Sequence, residues 1–393
     1  MDPQIWQQRP LWAIASLAPV LLGVVWMALA RELPPLARRP ALLGWLTWTA
    51  TRVGFAALVW GVFGHSGIDQ NAFFLPQARH ALAGELPYRD FASAYAPLFA
   101  PLLALALRLV GEAGPFMLFL LADLIAWRAI SAAEGETSEA SWAYVATPLT
   151  WYFTVRYGQD EALAAAFLAL AWWALRRGRG GVAGLVLGAG LVFTKPLFAL
   201  PALVLVIAAA PRARIALIAW ATALSGAVYG AFVMAGADVL QPLRLEGASF
   251  GVGPTLWRVP VTLFGWDAGP IGWLPFGLLA LVGIVLLAKR HRDAAAQGVW
   301  QYGAFAALAP KCMPMYVAMW APLLAVWAGR DADARGWWIV YGALLPLAWA
   351  LDSGPLQGMF GPMWQATAVL GLTGIAALAL WPLVHEASSR TAA

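Results

Sequence analysis

Long apolar runs separated by short, arginine-rich breaks constrain this chain more than any other feature. The breaks are RELPPLARR (31–39), RRGRG (176–180), PRAR (211–214), KRHRD (289–293) and GRDADAR (329–335). Charged residues make up only 11% of the 393, against about 25% in a soluble globular protein, and 62% are hydrophobic. A chain of this kind resides in lipid, where each span must satisfy its own backbone hydrogen bonds. The expected fold is therefore an all-α integral membrane protein. It forms one transmembrane domain over residues 1–393, with no stretch of charge density sufficient for a soluble domain. No small-residue cleavage motif follows the first apolar run (11–30), so no cleavable signal peptide is expected.

The net charge of +5 comes from arginines clustered between apolar spans. That is the positive-inside pattern of membrane topology rather than a nucleic-acid surface. With every basic break on the cytoplasmic side, 11–30 and 41–63 form an outward-ending pair. The loop at about 64–95 then faces away from the cytoplasm. Residues 96–110 are too few for a comfortable span and read as a juxtamembrane helix. The spans expected next are 114–132, 139–156, 159–176, 181–194, 196–209 and 213–235. A second external loop covers about 236–268, and further spans are expected at 270–288, 297–310, 314–329, 336–351 and 362–384. The total is about 11–13 helices. Cys312 is the single cysteine, which excludes an intrachain disulfide and a cysteine-based metal site.

Against this background the polar residues of the external loop stand out: Asp69, Arg79, His80, Glu85, Arg89 and Asp90. Asp69 follows an apolar span closely, so a helix holds it at the membrane surface. It is either an N-cap for the helix-like FFLPQARHALAG or a general base for a hydroxyl. Asp90 either pairs with Arg89 or holds a sugar hydroxyl. Arg156, Gln159, Asp160 and Glu161 cluster where one outward span meets the next inward one. Lys195 and Lys311 are two of only three lysines. Each lies at the tip of a short hairpin, followed closely by Pro196 or Pro314. Arms of about 14 residues reach about 21 Å, short of a bilayer core of about 30 Å, so both tips would lie below the outer surface. These lysines either snorkel to the interface or clamp a phosphate or carboxylate in an outward cavity. Gly184 and Gly188 form a GxxxG pair, which marks close helix packing.

The order of these parts resembles the GT-C class of polytopic membrane glycosyltransferases, and within it the mannosyltransferase branch. Asp69 opens the first external loop. Next comes Gly84, Pro87, Tyr88, Arg89, Asp90 and Phe91, with Tyr95, Pro97 and Leu98. Gly158, Gln159 and Asp160 follow, then Ala183, Gly184, Gly188, Lys195 and Pro196, and finally Lys311, Pro314 and Tyr316. The resemblance spans roughly residues 60–325. It implies a GT-C-like bundle that moves mannose or arabinose from a polyprenyl-phosphate donor to a glycan or lipid-linked acceptor, with inversion. It also implies a site on the non-cytoplasmic face of a bacterial inner membrane.

In that scheme Asp69 is the base, and Lys195, Lys311, Arg156 and Arg89 bind the donor phosphate. Asp90, Tyr88, Tyr95, Gln159, Asp160, Tyr316 and His65 serve the sugar and acceptor. Some relatives carry an Asp-x-Asp pair where this chain has Gly67-Ile68-Asp69. This departure favours a single base over a divalent metal, and no cofactor is expected. A secondary transporter or flippase for a charged or lipid-linked solute is the alternative.

Overall fold

The computed structural model describes residues 9–29, 40–62, 69–247, 255–266, 269–290, 293–330 and 332–352. Among them the chain is all α-helical, without strands. The first helices are α1 (Arg9–Leu29) and α2 (Pro40–Trp48), the latter continuing through the π-helical stretches Thr49–Gly54 and Ala57–Val62. A π-helical turn, Gln70–Phe74, leads into α3 (Leu75–Leu82). There follow α4 (Phe99–Val110), α5 (Gly114–Glu134), α6 (Glu139–Ala146), α7 (Pro148–Tyr157) and α8 (Glu161–Arg176). The rest are α9 (Gly180–Phe193), α10 (Ala199–Ala208), α11 (Pro211–Met234), α12 (Gln241–Gly247), α13 (Arg258–Phe264), α14 (Trp273–Arg290), α15 (Ala294–Leu308), α16 (Val317–Ala328) and α17 (Ala332–Asp352).

Among the described residues, three stretches are long and apolar enough to cross a membrane: Pro40–Gly61, Phe99–Glu134 and Pro211–Met234. The second is divided by a turn at Gly111–Ala113, so 99–110 forms its own helix. The third leaves Ile215, Ile218, Trp220 and Val233 exposed. A helix so apolar and so little covered by protein requires an apolar surrounding, so the protein is membrane-associated. Shorter apolar helices include Gly180–Phe193, Pro196–Ala208 and Pro314–Ala328. The span expected at 362–384 lies outside the described residues.

One expected span is broken. Residues 139–156 do not form a single helix, because α6 ends at Ala146 and α7 begins at Pro148. Proline has no N–H to donate and pushes its predecessor out of the helical region. Thr147 accordingly sits at φ −67°, ψ 134°, and its hydroxyl accepts from the Leu149 N–H. Hydropathy runs unbroken across this joint, which is why the run reads as one span.

The core centres on α8 and α16. α8 packs against α5, α9 and α16, and every residue of α16 is buried. Alanines at 162, 164, 165, 166, 169, 171 and 174 are buried on α8, and small side chains of this kind let neighbouring backbones approach. The glycines of α9 serve the same purpose against α11. A Cβ on Gly184 would lie 2.7 Å from the Leu217 carbonyl oxygen, and one on Gly188 3.0 Å from that of Ala221. Gly184→Ala is expected to lower stability by about 1–3 kcal/mol, the usual cost of overpacking. Unfolding midpoints in detergent would show it, and an unchanged midpoint would mean that the two helices separate freely.

A buried polar network ties the N-terminal half together. Arg52 of the π-helical stretch after α2 and Asp123 of α5 are fully buried, with Nε 2.7 Å from Oδ2. Asp123 also accepts from Trp48 Nε1 at 2.9 Å. The Arg52 guanidinium donates to the Thr150 hydroxyl of α7 and to the carbonyl of Val145 in α6. Four helical segments therefore meet at one ion pair.

Candidate functional site

The site begins at the turn between α7 and α8. Gly158 caps α7 in the left-handed region, at φ 67°, ψ 38°. That conformation costs an L side chain energy but not glycine. The reversal delivers Gln159, Asp160 and Glu161 in succession. All three are buried, the two acids to about 1% exposure.

Across from this turn, α9 stops at Phe193 and the chain extends through Lys195, at φ −97°, ψ 151°, before the short helix at Pro196–Phe198. Lys195 Nζ lies 2.8 Å from Asp160 Oδ1 and 2.6 Å from Glu161 Oε1. The rings of Tyr95 and Tyr316 flank it, with centroids 5.3 and 5.1 Å from Nζ. One cation thus faces two carboxylates and two aromatic rings. Glu161 Oε2 is buried without a hydrogen-bond partner among the described residues. A buried ionic group of this kind is costly unless its remaining polar atoms are satisfied.

Asp69 joins the cluster through the same turn, because its Oδ2 accepts from Gln159 Nε2. Its side chain makes no cap bond to the helix that follows, so the capping role is set aside. The next residue, Gln70, is buried and donates to the Glu112 carbonyl at 2.7 Å, which fixes the start of that helical segment.

The rest of the external loop divides between structure and site. Tyr88 has φ 69° and is the one non-glycine residue at positive φ among those described. Its N–H bonds to the Phe91 carbonyl at 2.9 Å, and its hydroxyl donates to the Tyr95 carbonyl. A bulky residue persists in this region only where its surroundings over-determine it. Arg89 and Asp90 pair with each other at 2.8 Å, and Asp90 also accepts from the Leu86 N–H. These two bonds, the arginine first, hold the Asp90 carboxyl below its ordinary pKa.

Arg89 and Asp90, expected as phosphate and sugar contacts, pair with each other in the turn, and Arg89 also donates to the Ala235 carbonyl at 3.4 Å. Among the described residues, neither hydrogen-bonds to the Lys195 cluster. Tyr95 does reach the site, stacked on Phe99 at 4.1 Å. Its segment is sewn to the lysine hairpin by backbone bonds, Ala96 N–H to Thr194 O at 2.7 Å and Leu98 N–H to Val192 O at 2.9 Å.

Lys195 opens on a cavity of about 350 Å³ that Lys311 and Tyr316 also line. Leu197, Leu200, Leu243 and Phe276 make much of its wall apolar. Lys311 Nζ lies 2.8 Å from Glu246 Oε2 of α12. Arg156 is absent from this wall, its guanidinium resting 5.1 Å from the Tyr157 ring centroid at the end of α7. His65 lies outside the described residues. No set of three or more His, Cys, Asp or Glu side chains suited to a metal occurs among those described.

Two partners went unassigned in the sequence. Glu161 stood in the polar turn without a role, and Glu246 stood in the second loop as one acid among several. An acid beside Asp160 at the start of an apolar helix was the signal for the first, whereas nothing local marks the second. Compared with known proteins, the chain matches no family model, no curated protein and no solved structure.

Proposed function

We propose that the protein is a membrane glycosyltransferase of GT-C-like architecture. It would transfer a monosaccharide, mannose or arabinose in the first instance, from a polyprenyl-phosphate donor on the non-cytoplasmic face. The observation that carries this reading is a single place with three chemistries. Asp69 is held at the edge of a carboxylate–lysine–tyrosine cluster, and that cluster borders an apolar cavity with two ammonium groups.

The chemistry follows from those parts. The acceptor hydroxyl attacks the anomeric carbon, Asp69 takes its proton, and a glycosidic C–O bond forms on the face opposite the leaving group. The anomeric carbon–oxygen bond to phosphate breaks, and its electron pair leaves with the polyprenyl phosphate. Fixed positive charge near that oxygen stabilises the transition state more than the ground state. Lys311, with one partly exposed carboxylate partner, would supply such charge, while Lys195 stays with Asp160 and Glu161 at the sugar end of the site. Asp160, Glu161, Tyr95, Tyr316 and Gln159 offer acceptors and donors to sugar hydroxyls. Isoprene units suit the leucine and phenylalanine wall.

The test is a transfer assay. The full-length protein in lipid nanodiscs would be given synthetic polyprenyl-phosphate mannose or arabinose and a lipid-linked glycan acceptor. The expected result is free polyprenyl phosphate and a glycosylated acceptor of inverted anomeric configuration. Movement of intact donor across a liposome bilayer, without cleavage, would replace this reading with a transporter.

A further inference from the structure

The two lysines on the cavity wall are not equivalent. Lys195 is held by two carboxylates, both buried to about 1% exposure and fixed by the α7–α8 turn. An arriving anion would have to leave both of those acids buried and unpaired, which is strongly unfavourable. Lys311 is held by one carboxylate, and that pair is more open, with side chains 20% and 36% exposed. Glu246 sits next to the last residue of a seven-residue helix, so its carboxylate can turn to water at little cost.

We propose that Glu246 is an intramolecular competitor for an anion seat at Lys311, and that a lipid phosphate binds by displacing it. The proposal rests on reading the cavity as a lipid-phosphate site and adds the residue that sets its affinity. A carboxylate and a phosphate offer the same anionic oxygens to an ammonium, so Glu246 occupies the seat when it is empty. The lipid then binds only to the fraction of molecules in which Glu246 has swung away, and its apparent affinity falls by that fraction. A lipid alcohol of the same length has no charge with which to displace the acid, so the pair also selects for the phosphate head. After transfer, the return of Glu246 to Lys311 competes with the polyprenyl phosphate product and favours its release.

Binding of geranylgeranyl phosphate to the full-length protein in nanodiscs tests this. Glu246→Gln is expected to bind about two- to fivefold tighter than wild type, the upper range of a partly exposed ion pair. Lys311→Gln is expected to bind at least about tenfold more weakly, and the double variant to show no gain from the Glu246 change. An unchanged affinity in Glu246→Gln, or a gain that survives without Lys311, overturns the proposal. Inorganic phosphate binding as tightly as geranylgeranyl phosphate makes the seat a free-anion site and overturns the lipid assignment. The transfer assay is read separately. A gain in Glu246→Gln without sugar transfer to any acceptor removes the transferase reading and leaves the competitor standing. Transfer with a flat Glu246→Gln response does the reverse.

Discussion

Asp123→Ala is expected to destabilise the protein by about 3–5 kcal/mol, the usual cost of removing one partner of a buried ion pair. Asp123 receives the Arg52 Nε at 2.7 Å and a second guanidinium nitrogen at 3.2 Å, together with the Trp48 indole. Truncation leaves Arg52 with Thr51, Thr150 and the Val145 carbonyl. These neutral acceptors do not balance a buried charge. Asp123→Asn keeps the size and an acceptor but loses the charge, so its effect should fall between wild type and alanine. The double variant Arg52→Met, Asp123→Leu removes both charges and should recover much of the loss, since apolar replacement of a buried pair is often close to neutral. Unfolding midpoints for the four proteins in detergent decide the matter. An Asp123→Ala midpoint equal to wild type would show that water already reaches the pair.

The largest catalytic effect is expected at Asp69. Asp69→Asn preserves the shape and can still accept the Gln159 hydrogen bond, but an amide cannot take a proton from a hydroxyl. Turnover should fall by about 10²–10⁴-fold, the typical contribution of a positioned general base, with donor KM little changed. Gln159→Leu is the informative companion, because it removes the group that aims Asp69 and one partner for sugar hydroxyls while leaving the base in place. Its kcat should fall by less than that of Asp69→Asn, and the pH profile should keep its shape. Initial rates of radiolabelled sugar transfer would separate the two. Full turnover by Asp69→Asn would end its role as base and leave it as a support for the Gly158–Glu161 turn.

The sequence made some of this arrangement readable and hid the rest for physical reasons. Hydropathy and the Lys–Pro punctuation marked the hairpin tipped by Lys195, because length and proline act locally. The Gly184/Gly188 pair likewise announced a close contact, which the backbone of α11 provides. Pairings across the bundle were different. Arg52 meets Asp123 71 positions away, and Lys311 meets Glu246 65 positions away. No local pattern selects those partners, although a lone charge in an apolar run already requires one. Arg89 and Asp90 are the local case, paired side by side. Adjacent opposite charges in a tight turn readily pair, and here they do. At Thr147–Pro148 the proline was visible, but continuous hydropathy outweighed it.

The backbone bonds from Ala96 and Leu98 to the end of α9 carry a consequence for how such a protein can change. The loop that carries Tyr88 and Tyr95 is hydrogen-bonded to the residues just before Lys195. It is therefore not an exchangeable cassette. A new outer segment grafted for a new acceptor would inherit or disturb the position of the lysine, so variation in what the protein recognises outside is tied to the geometry of the charge cluster within.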